Sequence, residues 1–377
     1  MDFNYSEEQQ MLTDTIGRFV EKTYDFESRR KLAKTELGFS REHWSTLAEM
    51  GLMALVVPEE FGGMGGSPVE TLIVMEAFGR GLVLEPYVGT AVVAANLITE
   101  AGNVAQKEAM LGAIADGSRR FALAALEPQG RFDLWDVATR ATSDGAGYVL
   151  DGRKAVVLGG DSADTLIISA RTSGRTTDRV GISLFLVDAK APGLTIEGFP
   201  NLDGQRSAEV TLSNVRVGSE ALLGARDAGY PSLEWAVDHG IAALCAEAVG
   251  VMSKLLDTTA EYLRTRKQFG KPIGSFQALQ HAAADMLTAL EQCRSAAVMA
   301  AAKVDSADAA ERRAAISAAK TIVGQAGRAI GKHAVQLHGG MGMTDELAVG
   351  HYFKRLLCID MTWGDSDHHI EQYAALL

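Results

Sequence analysis

The stretch RTRKQFGKPIGS, Arg264 to Ser275, sets Arg264, Arg266, Lys267 and Lys271 beside two glycines. On both sides of it, apolar residues recur at helical spacing in long Ala-rich runs, 230–263 before it and 277–304 after it. A third such run covers 307–337. The loop therefore reads as the place where a helical bundle turns. Its arginines are residues that can meet an anion, although a solvated Arg–Lys pair is the commoner use of such a pattern.

Upstream, from about Phe121 to Gly224, the texture changes to period two. FALAAL, GYVLDGRKAVVLGG, TLIISART, GISLFLVDA and SAEVTLSNVRV are short β-rich runs, punctuated by turns such as Asp144-Gly145, Asp151-Gly152 and Pro192-Gly193. That pattern predicts an antiparallel barrel or sandwich. Further upstream the periodicity is helical again. Ser6 with Gln9 forms a capping box ahead of Met11, Ile16, Phe19 and Val20, and a second helix starts near Ser40 with Trp44, Leu47 and Met50 on one face. Between them and the next helix, VPEEFGGMGG (Val57–Gly66) lacks the Lys-Ser/Thr ending of a phosphate loop and reads as a turn. The expected organisation is an α+β multi-domain chain: an N-terminal helical domain (1–118), a middle antiparallel β-barrel (119–225) and a C-terminal four-helix bundle (226–377). With no βαβ alternation and no GxGxxG after a strand, a Rossmann domain is not expected.

Composition narrows the partners. The net charge is −12, so no global basic field attracts nucleic acid or an anionic membrane. The acidic start MDFNYSEEQQML is unlike a signal peptide, and no stretch approaches the ~18 uninterrupted apolar residues of a membrane span. Cys245, Cys293 and Cys358 are scattered through apolar segments and read as thiols of a reducing cytoplasm.

Two segments carry a specific likeness. RTRKQFGKPIGSFQALQHAAADM (Arg264–Met286) and QLHGGMGMTDE (Gln336–Glu346) resemble the two signature segments of the acyl-CoA dehydrogenase family. The VPEEFGG loop and the helix–barrel–helix order extend the resemblance over nearly the whole chain. It implies an FAD flavoenzyme, in a bacterial cytoplasm, that removes a proton from Cα and a hydride from Cβ of an acyl-CoA thioester, with an electron-transfer flavoprotein as acceptor. It further implies that FAD lies across a dimer interface, its ADP end held by the neighbour's C-terminal helices. The matching positions here are Arg266, Gln268, Phe269, Gln277, Gln336, Leu337, Gly339 and Gly340. Arg266 offers a planar fork to a pyrophosphate, and the glycines let backbone approach the nucleotide.

The departures fall elsewhere. Ungapped spacing from Gln336 puts Trp363 where the family has its catalytic glutamate, and the family's alternative glutamate position is Gly240. An indole cannot accept a proton, and a general base is typically worth about 10²–10⁴-fold. Asp238 matches a family position that contacts acyl-CoA, but Ile241 replaces a family arginine. The flavin-lining run appears as LEPQGRFD (Leu126–Asp133), keeping Glu127, Pro128 and Asp133, and the Trp-Ile-Thr beside the flavin is Val156-Val157-Leu158.

The pattern predicts the non-catalytic small subunit of a heteromeric α₂β₂ enzyme, of the pimeloyl-CoA dehydrogenase type, completing the FAD site of a catalytic large subunit. The alternative is a self-sufficient homotetramer that uses Asp365 as base. Asp365, Asp367, His368 and His369 also invite a metal reading. A helix N-cap with acidic first-turn residues accounts for them better, and no metal is expected. A purely structural subunit that binds no cofactor is a further class, against which the kept Arg266 and Gln336 segments argue.

Overall fold

A computed structural model of the protein describes residues 5–377. The chain opens with helices α1 (Glu7–Thr23), α2 (Phe26–Ala33), α3 (Arg41–Glu49) and α4 (Pro68–Gly81). A π-wound segment, Val88–Ala94, runs into α5 (Ala95–Ala101), and α6 (Val104–Ala115) follows. Local chemistry sets these starts. Ser6 Oγ accepts from the Gln9 amide while Gln9 Oε1 accepts from the Ser6 amide, so the capping box forms as its residues require. Ser40 caps α3 by accepting from the His43 amide, and Trp44 and Leu47 are buried on its inner face. The Val57–Gly66 segment folds on itself, its Gly65 and Gly66 amides donating to the Val57 and Leu55 carbonyls. A Cβ at Gly63 would sit 1.9 Å from the Val57 carbonyl oxygen, so the glycine serves the turn.

Eight strands come next: β1 (Phe121–Ala124), β2 (Arg140–Ser143), β3 (Gly147–Leu158), β4 (Thr165–Arg171), β5 (Ile182–Asp188), β6 (Leu194–Pro200), β7 (Arg206–Gly218) and β8 (Leu222–Leu223). After them run α7 (Tyr230–Thr265), the hairpin strands β9 (Lys267–Gln268) and β10 (Lys271–Pro272), α8 (Gln277–Lys303), α9 (Ala309–His338), α10 (Ala348–Met361) and α11 (Ser366–Ala374). Helices, sheet, helices is the order expected from the periodicities. The short α11, nucleated by its own N-cap, adds a fifth helix to the C-terminal set.

The chain divides into two compact units, residues 1–32, 68–83 and 241–377 in one, and 33–67 with 84–240 in the other. The second unit holds the sheet, in the order β6-β7-β3-β2-β4-β5-β8, with β1 on β4. Most pairs are antiparallel, but β1 and β2 both run parallel to β4. The long irregular connection between β1 and β2 lets two consecutive strands lie in the same direction, which period-two texture cannot reveal. Leu150, Val157, Ile168, Phe185, Val187, Val210 and Leu212 close the sheet's inner face. Arg171 pins the surrounding loops, its guanidinium donating to the carbonyls of Trp135, Val137, Thr176, Asp178 and Val180.

In the first unit α9 packs along α8, α10 and α11 and buries Ile316, Ala319, Val323, Ile330 and Ala334 at helical spacing. α7 is long and apolar enough to cross a bilayer by composition, yet 83% of its most apolar window is buried inside the protein. It is a core helix.

Candidate functional site

The Arg264–Ser275 stretch folds as a tight hairpin. Lys267 and Gln268 pair with Pro272 and Lys271 across a two-residue turn in which Phe269 (φ 54°) and Gly270 (φ 78°) are both left-handed. Those angles suit the twist of a short hairpin, and for phenylalanine they are unusual. Phe269 is 88% exposed, with the edge-on ring of Phe276 beside it, 5.9 Å away. Arg266, Gln268 and Gln277 are exposed as well, and their side chains form no hydrogen bond or ion pair among the described residues. The Arg266 amide donates to the Tyr262 carbonyl, which ties the hairpin to the last turn of α7.

The second segment lies at the end of α9. Gln336 is exposed, Leu337 is buried in the helix packing, and Gly339 (φ 60°, ψ −142°) breaks the helix in a conformation open to glycine alone. A Cβ placed on Gly339 or Gly340 would meet no atom within 4 Å, so backbone there is laid bare. Tyr262 and His338 stack with ring centroids 4.3 Å apart, which brings the hairpin's root to the root of this turn. The Arg266 guanidinium, the Gln268, Gln277 and Gln336 amides, none with a side-chain partner among the described residues, and two bare glycines thus share one unit. These groups fit a pyrophosphate and a ribose, which need cationic, donor-rich contacts with close backbone approach.

The MTWGDSDHH segment is built quite differently. α10 ends at Met361, Trp363 (φ 54°) and Gly364 (φ 113°) turn left-handed, and Asp365 caps α11 by accepting from the His368 amide at 2.9 Å. The turn is held from within. Lys320, wholly buried on α9, donates to the carbonyls of Asp360 (3.0 Å), Thr362 (2.7 Å) and Gly364 (2.6 Å). Three ammonium protons meet three acceptors, and burial lowers the lysine's pKa to about 8. Burial, then the nearby Lys320 and His368, push His369 down to about 3. Its neutral Nε2–H therefore donates to the Trp363 carbonyl, and Nδ1 accepts from Ser317. Asp360 closes the network, receiving Arg328 and Ser366. Asp365 spends one carboxylate oxygen on its cap, and both His369 nitrogens are engaged. This is an internally bonded helix terminus carrying a buried indole, Trp363. No cluster of three or more His, Cys, Asp or Glu suited to a metal occurs among the described residues.

The second unit holds the other predicted positions. Asp238 and Gly240 are buried on α7, where Trp235 packs edge-on to His239 at 4.3 Å. Of the LEPQGRFD stretch, Glu127 turns inward. It accepts from the Ala138 and Thr139 amides and from Gln129, and it pairs with Lys154 at 2.6 Å. Lys154 is fully buried and also donates to Ser169. Ala155 and Val156 form a bulge in β3 just beyond it, leaving Val156 at φ 51° and 52% exposed. Val157 is buried and Leu158 partly buried, so neither an aromatic ring nor a hydroxyl side chain stands there.

The Glu127 pair has a consequence for pH. Burial acts to raise the Glu127 carboxyl, and the Lys154 ammonium with hydrogen bonds from Lys154, Thr139 and Gln129 more than offsets it, leaving the pKa below its ordinary 4.5. A carboxyl with a depressed folded pKa contributes stability above its unfolded value and loses it as pH falls through the folded one. Denaturant titrations at stepped pH should therefore show stability falling below about pH 4.5. Glu127→Gln should flatten that acid limb by up to one proton, and an unchanged slope would count against the assignment.

The sequence does not single out Lys154, Lys320 or the Tyr262–His338 stack as interacting groups, and His369 enters only through the metal reading. Signals for the lysines exist. Lys154 falls on the inward parity of β3 with Leu150, and Lys320 sits among Ile316, Ala319 and Val323 on the apolar face of α9. A lysine in phase with a buried face announces a paired or carbonyl-bound cation.

The order of helices, sheet and helices, with a cationic hairpin and a glycine turn in one unit, defines the class of chain to compare. Comparison with known proteins makes the class specific. Family models for the N-terminal, middle and C-terminal domains of acyl-CoA dehydrogenase match residues 6–118, 122–215 and 227–377. Acyl-CoA dehydrogenase FadE12 of Mycobacterium tuberculosis is 30% identical, over 92% of this chain and 90% of its own. Among solved structures, the ChsE4–ChsE5 complex from Mycobacterium tuberculosis matches with TM-score 0.90 at 27% identity, over 100% of this chain and 98% of that one. PigA with FAD and proline matches with TM-score 0.91 at 27% identity and the same coverage. The chain belongs to the acyl-CoA dehydrogenase family, oxidoreductases that act on CH–CH bonds with FAD as cofactor.

Proposed function

We propose that this chain is the non-catalytic subunit of a heteromeric acyl-CoA dehydrogenase. Its Arg266 hairpin and Gln336–Gly340 turn hold the ADP half of an FAD whose flavin ring and general base belong to a partner subunit. The observation that carries the reading is an asymmetry. Arg266, Gln268, Gln277 and Gln336 stand exposed with unused polar groups, while the place of the base holds Trp363. The similar chain in the ChsE4–ChsE5 complex gives a precedent for two-chain assembly on this fold.

FAD, when bound, supplies the acceptor for the Cβ hydride of an acyl-CoA thioester. This chain's residues bind and orient: Arg266 meets the pyrophosphate with a planar fork, the glutamines donate to ribose or phosphate oxygens, and Gly339–Gly340 admit backbone contact. None of them takes a proton. Removal of the α-proton falls to the partner, and the absent base alone is worth about 10²–10⁴-fold. An electron-transfer flavoprotein as acceptor and the bacterial cytoplasm as compartment belong to the same proposal.

The test is co-purification with a homologous chain that carries a carboxylate at the turn position. Arg266→Ala is expected to raise the Kd for FAD of the complex by at least about tenfold, the scale of one charge-assisted contact, with the subunits still associated. Stoichiometric FAD and fast turnover in the chain purified alone would overturn the proposal.

A further inference from the structure

We propose that Tyr262 and His338 are positioning residues of the FAD grip, their stacked rings setting the register between the Arg266 hairpin and the Gln336–Gly340 turn. The inference rests on the reading that those two segments hold the nucleotide. Each ring sits at the root of one segment. Tyr262 lies in the last turn of α7, and its carbonyl receives the Arg266 amide at 2.9 Å. The residue that stacks is thus also the one from which the hairpin is hung. His338 ends α9, and Gly339 departs from the helix immediately after it.

The stack is fixed by hydrogen bonds as well as by ring contact. The rings lie 4.3 Å apart at 27°, and the Tyr262 hydroxyl points to the His338 carbonyl at 3.5 Å. His338 is 3% exposed, and its Nδ1 lies 2.8 Å from the Ala334 carbonyl. A carbonyl only accepts, so the neutral ring carries its proton on Nδ1, and that bond locks the ring plane. The turn then folds back on the same residue, since a Cβ at Gly342 would stand 2.6 Å from the Val335 carbonyl and 3.1 Å from His338 Cβ. Among the described residues, neither the Arg266 nor the Gln336 side chain has a partner to fix its place. What registers them is the backbone beneath, and the stack is a ring-to-ring link joining the two backbones. A binding constellation loses much of its grip when its supporting contacts are loosened, even with every contacting residue kept.

A ring that merely fills space would weaken FAD independently of Arg266, whereas a positioning ring acts through it. The experiment uses the full-length chain in whichever oligomer carries FAD, and it reads flavin fluorescence for Kd and release rate, alongside the thermal midpoint of the FAD-free protein. Tyr262→Leu is expected to weaken FAD at least about tenfold with that midpoint nearly unchanged, and Tyr262→Phe, which keeps the stack, to stay within about twofold. Combined with Arg266→Ala, Tyr262→Leu should add less than about twofold, because coupled residues are not additive. Additive losses, or FAD held as tightly by Tyr262→Leu as by the parent, overturn the inference and leave the subunit reading standing. No loss of FAD in Arg266→Ala overturns both. Should Tyr262→Leu fail to accumulate, His338→Gln removes the same stack from the other side and is judged by the same outcomes.

Discussion

Arg355→Ala is expected to cost about 3–5 kcal/mol of unfolding free energy, the usual scale for stranding a buried charge. Arg355 on α10 and Glu247 on α7 form a two-pronged pair, Nε to Oε1 and Nη2 to Oε2, each at 2.6 Å. Their side chains are 6% and 4% exposed, so water neither screens the pair nor rehydrates a survivor. Removing the guanidinium leaves the Glu247 carboxylate buried in the helix packing, where it must either stay charged at high cost or take up a proton. Replacing both partners by neutral groups of similar shape is a different matter, because it removes two desolvation penalties along with the attraction. Glu247→Gln with Arg355→Met should therefore recover most of the loss in a double-mutant cycle. Urea unfolding monitored by circular dichroism provides the measurement. A loss below about 1 kcal/mol for Arg355→Ala would mean that the carboxylate finds water or another cation, and the pair would then not be what registers α7 against α10.

Gly250→Ala is the second change with a large expected effect. At the crossing of α4 and α7 two glycines face each other's backbones. A Cβ on Gly250 would stand 1.9 Å from the Glu76 carbonyl oxygen, and one on Gly79 would stand 2.0 Å from the Glu247 carbonyl oxygen. Real carbons cannot approach that closely, and the obstacles are helix backbones, which do not rotate away as a side chain does. A single methyl must drive the two helices apart by an ångström or more. The contacts around the crossing then open, among them the Arg80 link to Ser253 and Asp257 and the Glu76 pair with Arg294. Overpacking of this kind usually costs about 1–3 kcal/mol, and the backbone-to-backbone geometry puts Gly250→Ala at the top of that range or above it. Helix propensity works the other way, since Ala is better than Gly by about 1 kcal/mol in a helix interior. A net loss of stability thus isolates the steric term, whereas a variant as stable as the parent would show that the helices part freely. Once they are apart, the second glycine matters less, so Gly79→Ala added to Gly250→Ala should cost clearly less than the two losses summed.

The same interactions show how much was legible beforehand. The alternation of helix and strand texture, the Ser6–Gln9 box, the cap at Ser40 and the extents of α7, α8 and α9 could all be read from the chain. Each rests on periodicity or on hydrogen bonds spanning a few residues, and such information is local. The unusual state of the candidate site was legible too. Unbroken spacing from Gln336 put Trp363 where the resemblance expects a carboxylate, and the segment read as a helix start capped by Ser366 or Asp365, of which Asp365 holds the cap. What the chain could not disclose is which distant groups meet. Lys154 with Glu127, Lys320 with the carbonyls of the Trp363 turn, Tyr262 on His338, Glu247 with Arg355 and Gly79 against Glu247 all join residues far apart in sequence. A lysine's letters are the same whether it is solvated or buried, and only packing decides which, by removing water and leaving the cation to find carbonyls or a carboxylate. The amino-acid order thus determined the elements and their sequence along the chain. The tertiary fold alone decided which charges were buried, which helices touched backbone to backbone and how the Tyr262–His338 stack brought two separated segments together, because those outcomes depend on exclusion of water and contact at a distance.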